Sequence, residues 1–120
     1  MFDWFKRKTR PLEAESRWAI AIDGERISVR DNVGETKTVA KSDLSAVAVE
    51  TNDSGPWGAD VWWLLFDCSD RLACAFPQGA TGEKAVIDYI MRLPAFDYEA
   101  MIKAMASTEN AVFPVWRRAP

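Results

Sequence analysis

The side chains able to do chemistry are few in this 120-residue chain, and the most versatile of them is missing: there is no histidine. That removes the commonest general base and every nucleophile pair that relies on imidazole. The two cysteines, Cys68 and Cys74, cannot complete a structural zinc centre, which takes four ligands. No pattern calls for a cofactor or a metal. Both cysteines lie beside a turn. With that turn centred on Ser69-Asp70, Cys68 faces Arg71 and Cys74 faces Leu65. The sulfurs then sit too far apart along the ladder to bond, so two free thiols are expected.

Three oxygen- or glycine-rich stretches invite a sharper reading. Phe76-Pro77-Gln78-Gly79-Ala80-Thr81-Gly82-Glu83-Lys84 runs from strand through a glycine turn into a helix, as a phosphate loop does. In a phosphate loop, however, lysine follows the last glycine directly, with Ser or Thr next. Here Glu83 intervenes and Ala85 follows the lysine, so a plain helix entry is expected. Asn52, Asp53, Ser54 and Asp60 gather oxygen ligands, but calcium takes six to eight and the EF-hand spacing is absent. Turn formation ahead of Gly55-Pro56 explains them. Asp67 and Asp70 bracket a hairpin turn and read as solvated turn residues. An enzyme working through carboxylates alone ranks behind both binding readings given below, and no catalytic residue is assigned.

Tryptophan is the unusual residue, with six in the chain. Trp18, Trp62 or Trp63, and Trp116 fall in strand patterns and read as core or sheet-face packing. Trp57 stands between Pro56 and Gly58, in a stretch dense in turn residues. It either folds onto the core or is presented to a partner. A loop whose ends are fixed by buried strands is a common place for binding residues. Pro56 would restrict that loop, Trp57 would supply apolar surface, and Asp53 and Asp60 would give it an acidic rim. These four form the expected binding site.

The elements that must position such a site follow from periodicity. Val61-Trp62-Trp63-Leu64-Leu65-Phe66 and Leu72-Ala73-Cys74-Ala75-Phe76 are apolar runs of strand length split by Asp67–Arg71, which makes a hairpin at the centre of a sheet. Ahead of it, Trp18, Ile20 and Ile22 alternate, Asp23-Gly24 turns, and Ile27 and Val29 answer. Asp31–Gly34 turns again into a short third strand, Lys37–Ala40. Leu44–Thr51 is a fourth strand, with Val47, Val49 and Thr51 on one face and Ala46, Ala48 and Glu50 on the other. Ala85, Val86, Tyr89, Ile90 and Leu93 fall at helical spacing before Pro94. Asp97 is placed to cap a second helix, Tyr98 to about Ala106, with Met101, Ile102 and Met105 as its apolar face. Val112–Trp116 closes the chain as a strand that Pro114 confines to an edge. The sum is α+β: a curled antiparallel sheet of six to seven strands, covered by two C-terminal helices. The picture is similar to a pleckstrin-homology-like half-barrel, with a second helix and trailing strand that such a barrel does not require.

An N-terminal arm at residues 1–15 precedes a single domain at residues 16–118. In the arm Phe2, Trp4 and Phe5 stand before Lys6, Arg7 and Lys8, the reverse of a secretory signal. Such a segment would suit a membrane surface, but attachment usually needs a longer helix or a second signal. Docking on its own domain, or fraying, is the simpler expectation. No apolar run approaches the ~20 residues of a spanning helix, so no stable membrane insertion and a cytoplasmic location are expected. The net charge of −3 argues against nucleic acid as a partner, since basic residues cluster only at the two ends.

The segments Asp53-Ser54-Gly55-Pro56…Asp60-Val61-Trp62-Trp63 and Leu93-Pro94-Ala95-Phe96-Asp97…Ala104-Met105…Asn110…Phe113…Trp116 resemble a family of small uncharacterised bacterial α+β proteins. The resemblance covers most of residues 17–117. It implies a bacterial, cytoplasmic, stand-alone domain, and it supplies no activity and no functional residue. The function expected from the whole is a non-enzymatic protein-binding module, of regulatory or immunity type, that takes another protein, a basic one fitting the acidic balance. The alternative is a small-ligand or lipid-headgroup binder that uses the open mouth of the curled sheet.

Overall fold

The computed structural model describes residues 18–55 and 58–120, and side chains within them except at 53–60. Strands β1 (Ala19–Ile22), β2 (Arg26–Arg30) and β3 (Thr36–Ala40) lead through a 3-10 turn, Lys41–Asp43, into β4 (Leu44–Gly55). Then come β5 (Gly58–Asp67), β6 (Leu72–Pro77), α1 (Glu83–Met91), α2 (Tyr98–Ala106) and β7 (Ala111–Arg117). This is the α+β order that the periodicities predict. The N-terminal arm lies outside the described residues.

The sheet arrangement differs from the expectation. The strands form two antiparallel sheets, β1-β2-β3 and β6-β5-β4-β7, where one curled sheet was expected. The physical reason is competition for the edge of β4. One edge pairs with β5, from Ala46↔Phe66 to Asn52↔Asp60, and the other with β7, from Ala46↔Arg117 to Thr51↔Ala111. No edge is left for β3. The centre of the larger sheet is therefore the β4–β5 pair, and β6 is an outer strand. β7 is the other outer strand, which is where Pro114 can be accommodated.

Aspartates make the hairpin turns. Asp31 Oδ1 accepts from the N–H groups of Val33 and Glu35, at 3.0 and 2.9 Å, and Gly34 takes φ +92°. Asp67 Oδ1 does the same for Ser69 and Arg71, at 2.9 and 3.1 Å, and Asp70 holds the left-handed position at φ +61°. The Asp23-Gly24 turn is displaced by one residue from its expected place. Asp23 N–H donates to Arg26 O at 3.0 Å, so Gly24 and Glu25 occupy the corner, and Gly24 does not take a positive φ. The Asp23 carboxylate sets this turn, accepting from Glu25 and Arg26 N–H at 2.8 Å each. These backbone donors hold the Asp23 and Asp67 carboxyls below their ordinary value. The stability they contribute is present above the ordinary carboxylate range and is lost as pH falls through the folded values.

The alternation read in β4 is what the structure shows. Val47, Val49 and Thr51 face inward with Leu65 and Trp63 of β5 and Cys74 and Phe76 of β6. Ile20, Ile27, Val29 and Val39 of the smaller sheet join the same core, as do Val86 and Ile90 of α1 and Phe96 and Ala104 around α2. Trp18, Trp62, Trp63 and Trp116 are all buried.

At the entry to α1, Gly79 N–H donates to Glu83 Oε1 at 2.9 Å. The carboxylate of the chain itself occupies a loop donor that a phosphate would need, which fits a plain helix entry. Asp97 caps α2 as predicted, its Oδ1 accepting from Ala100 N–H at 2.9 Å.

Candidate interaction surfaces

The expected binding loop is largely strand. β4 runs to Gly55 and β5 begins at Gly58, with Gly55 opposite Gly58, so only positions 56 and 57 separate the two strands. Pro56 and Trp57 lie outside the described residues. Asp53 and Asp60 stand on the paired strands, and their side chains also lie outside the described set. Turn-forming composition suggested a loop; the ladder continues through it because both flanking strands are locked to each other from residue 46 onward.

The structure exposes a different surface. On α2 the side chains that turn inward are small or half-buried: Ala104 is fully buried, with Ala100 and Met101 partly so. Ile102 and Met105, read from the sequence as inward-facing, are 63% and 40% exposed, and Tyr98 is 50% exposed. The helix runs close to β7 and β4, and alanine permits that approach where isoleucine does not. Tyr98, Ile102 and Met105 follow i, i+4, i+7 spacing and so share one outer stripe. Tyr98 is held in place: its hydroxyl donates to Met91 O at 2.5 Å, and its ring meets Phe96 edge-on at 4.9 Å. The sequence did carry a signal for this stripe. YEAMIKAMA has apolar residues on both sides of the helix, one face more than a surface helix needs to bury.

The second surface is the outer face of the larger sheet, which carries Ala46, Ala48 and Glu50 of β4, Trp62, Leu64 and Phe66 of β5, and Ala75 of β6. Beside β7 a groove of about 570 Å³ is lined by residues of both faces, Ala46, Ala48, Phe66 and Pro114 together with Val47 and Trp116. The cation among its described lining residues is Arg117, whose guanidinium already stands 4.0 Å from Asp70. Glu50 is only 7% exposed, and its Oε1 has no hydrogen-bond partner among the described residues.

Burial raises the Glu50 carboxyl above its ordinary value. The folded chain thus keeps that proton to higher pH than the unfolded chain does. Stability linked to Glu50 is fully present below the unfolded value and falls as pH rises through the folded one. Glu50→Gln keeps the shape and removes the titration. Urea denaturation should find the variant more stable than wild type at about pH 7 and the gap closed near pH 4.

The two thiols are free and differ in access: Cys68 is exposed and Cys74 buried, opposite Leu65 as the register predicts. Burial pushes the Cys74 thiol up to about 11. Asp43 raises that of Cys68, first through a hydrogen bond and then through its charge. An aromatic disulfide reagent should titrate one thiol promptly in the native protein and both in urea. Prompt reaction of both in the native state would contradict the burial of Cys74.

Among the described residues no group of three or more His, Cys, Asp or Glu converges as a metal site, and no helix is long and apolar enough to cross a membrane. Comparison with protein-family models, with curated proteins and with solved structures returned no match.

Proposed function

We propose that this chain is a non-enzymatic protein-binding module and that the outer stripe of α2 is its contact surface. The observation that carries the reading is the exposure of Tyr98, Ile102 and Met105 along one helix face. Single exposed apolar residues need no explanation, but three aligned on one element mark a site for a partner. Tyr98 is already fixed by Met91 O and Phe96, so little side-chain freedom is lost on binding. Glu99 follows Tyr98 in the first turn of the helix, Lys103 lies in the last turn, and the chain carries a net charge of −3. A partner with an apolar hollow and a basic rim fits this face, as a regulatory or immunity-type protein would require. The groove beside β7 supports a lipid-headgroup reading less well, because its described cation is already near an aspartate.

The test is Ile102→Glu. A protein captured from source-cell lysate by the wild type is identified, purified and titrated against both forms. Affinity should fall at least about tenfold in the variant, the scale of an interface hot spot, with the thermal midpoint unchanged. Equal affinities would sink the assignment of this face.

A further inference from the structure

Glu99 and Lys103 stand one turn apart on α2, the spacing at which opposite charges pair within a helix. Lys84 and Asp88 make such a pair on α1, at 3.2 Å. Glu99 and Lys103 do not. Both are exposed, and among the described residues neither side chain has an ion pair or a hydrogen bond. The helical repeat sets both on the same flank of the stripe formed by Tyr98, Ile102 and Met105. On the opposite flank Met101 is half-buried and Ala104 buried against the core. The stripe is therefore bordered by free charge on one side only, negative toward the start of the helix and positive toward its end.

Such a flank is complementary to its own copy. Across a two-fold axis at the middle of α2, a second copy of the helix runs antiparallel, and the charged flank meets itself reversed end for end. Glu99 then faces Lys103 of the second copy, and Lys103 faces that copy's Glu99. Tyr98 comes against Met105 of the second copy, an aromatic ring on a thioether. Ile102 lies beside the axis, against its own counterpart. A parallel pairing sets neither charge opposite its complement. We propose that a second copy of this chain covers the stripe when no other partner does, as an antiparallel pair of α2 helices, which rests on the reading of this stripe as a contact surface. A single nine-residue helix offers less than the ~1,200 Å² that stable complexes bury. The dimer is accordingly weak, and a different protein with a better fit to the same side chains displaces the copy.

The test uses the full chain. Sedimentation equilibrium from ~10 μM to ~1 mM, the range of weak interfaces, should show monomer passing into dimer. Glu99→Lys turns both cross-pairs into like charges, and Lys103→Glu does so with the opposite sign. Each variant alone should associate at least about threefold more weakly than wild type. Their equimolar mixture should recover most of the lost dimer, because each then supplies the charge the other lacks. Glu99→Lys also brings the net charge nearer zero, so repulsion between whole chains predicts tighter association where the pairing predicts weaker. Ile102→Glu, beside the axis, should abolish the dimer. All three positions are exposed, so the fold survives these changes. A wild type that stays monomeric overturns the proposal and leaves the stripe to a different protein. A dimer that survives Ile102→Glu overturns it, as does a mixture no more dimeric than its components. The lysate partner's affinity is read on a different complex, so the two readings of the stripe fail separately.

Discussion

Trp63→Ala destabilises the fold by ~3–5 kcal/mol, the range for emptying a buried aromatic site. Trp63 is 1% exposed at the middle of β5, directly opposite Val49 on one side and Phe76 on the other. Its ring lies nearly parallel to that of Phe76, at 6° and 6.4 Å between centroids. Removing it opens a cavity between the two sheets, where neither backbone can collapse to fill it. Against a typical total of ~5–15 kcal/mol, the loss takes a third or more of the stability. Trp63→Phe should behave differently. The indole Nε1 is buried with no hydrogen-bond partner among the described residues, and an unmade bond of this kind costs ~1–3 kcal/mol. Phenylalanine removes that donor while keeping most of the volume, so it should cost under ~1.5 kcal/mol. Urea denaturation of the three proteins measures both effects. A phenylalanine variant as unstable as the alanine one would show that the indole N–H is satisfied and that the packing argument is incomplete.

What the sequence revealed of this fold was local. Val47, Val49 and Thr51 could be assigned to one face because strand side chains alternate with a period of two, whatever the partner strand. Asp97 could be read as a cap because its role is settled within three residues. The division into two sheets was not legible in the same way. It depends on β7 taking the edge of β4, a pairing between residues 60 or more positions apart, such as Thr51 and Ala111. A run of hairpins predicts neighbours in sequence, and β3 and β4 are neighbours only in sequence.

Two features of the surface were not legible in the sequence, each for a physical reason. Asn52 to Gly58 has the composition of a loop, but the β4–β5 ladder, paired regularly from Ala46 to Asn52 and shifted in register between Asn52 and Gly55, imposes strand on residues that would not choose it. On α2 the largest apolar side chains were assigned to the core. Packing against the sheet instead selects the smallest, because close approach at Ala100 and Ala104 buries more of the helix than Ile102 could. The exposed stripe is thus a consequence of tertiary geometry. So is the burial of Glu50, which stands in an alternation that could place it on a solvated face.

Gly82 offers a sharper test of how the two sheets and α1 are joined. It follows Thr81, whose N–H donates to Trp18 O at 2.9 Å and whose carbonyl accepts from Ile20 N–H at 2.8 Å. This short parallel bridge ties the entrance of α1 to β1. Gly82 lies tight against it: a Cβ there would stand 2.2 Å from Ile20 O, and the residue holds φ +87°. Gly82→Ala therefore incurs two separable costs. The left-handed backbone costs ~1–2 kcal/mol for a residue with a Cβ. Relieving a clash with backbone requires β1 and the helix entrance to part, which forfeits two hydrogen bonds at ~1 kcal/mol each. The expected total is ~3–4 kcal/mol. Gly34→Ala isolates the first cost, because Gly34 has φ +92° but nothing within 4 Å of the added carbon. Chemical denaturation should place Gly34→Ala ~1 kcal/mol below wild type and Gly82→Ala at least ~2 kcal/mol lower still. Equal losses in the two variants would mean that the close approach to Ile20 contributes nothing, and that α1 is held against β1 by its buried Val86 and Ile90 alone.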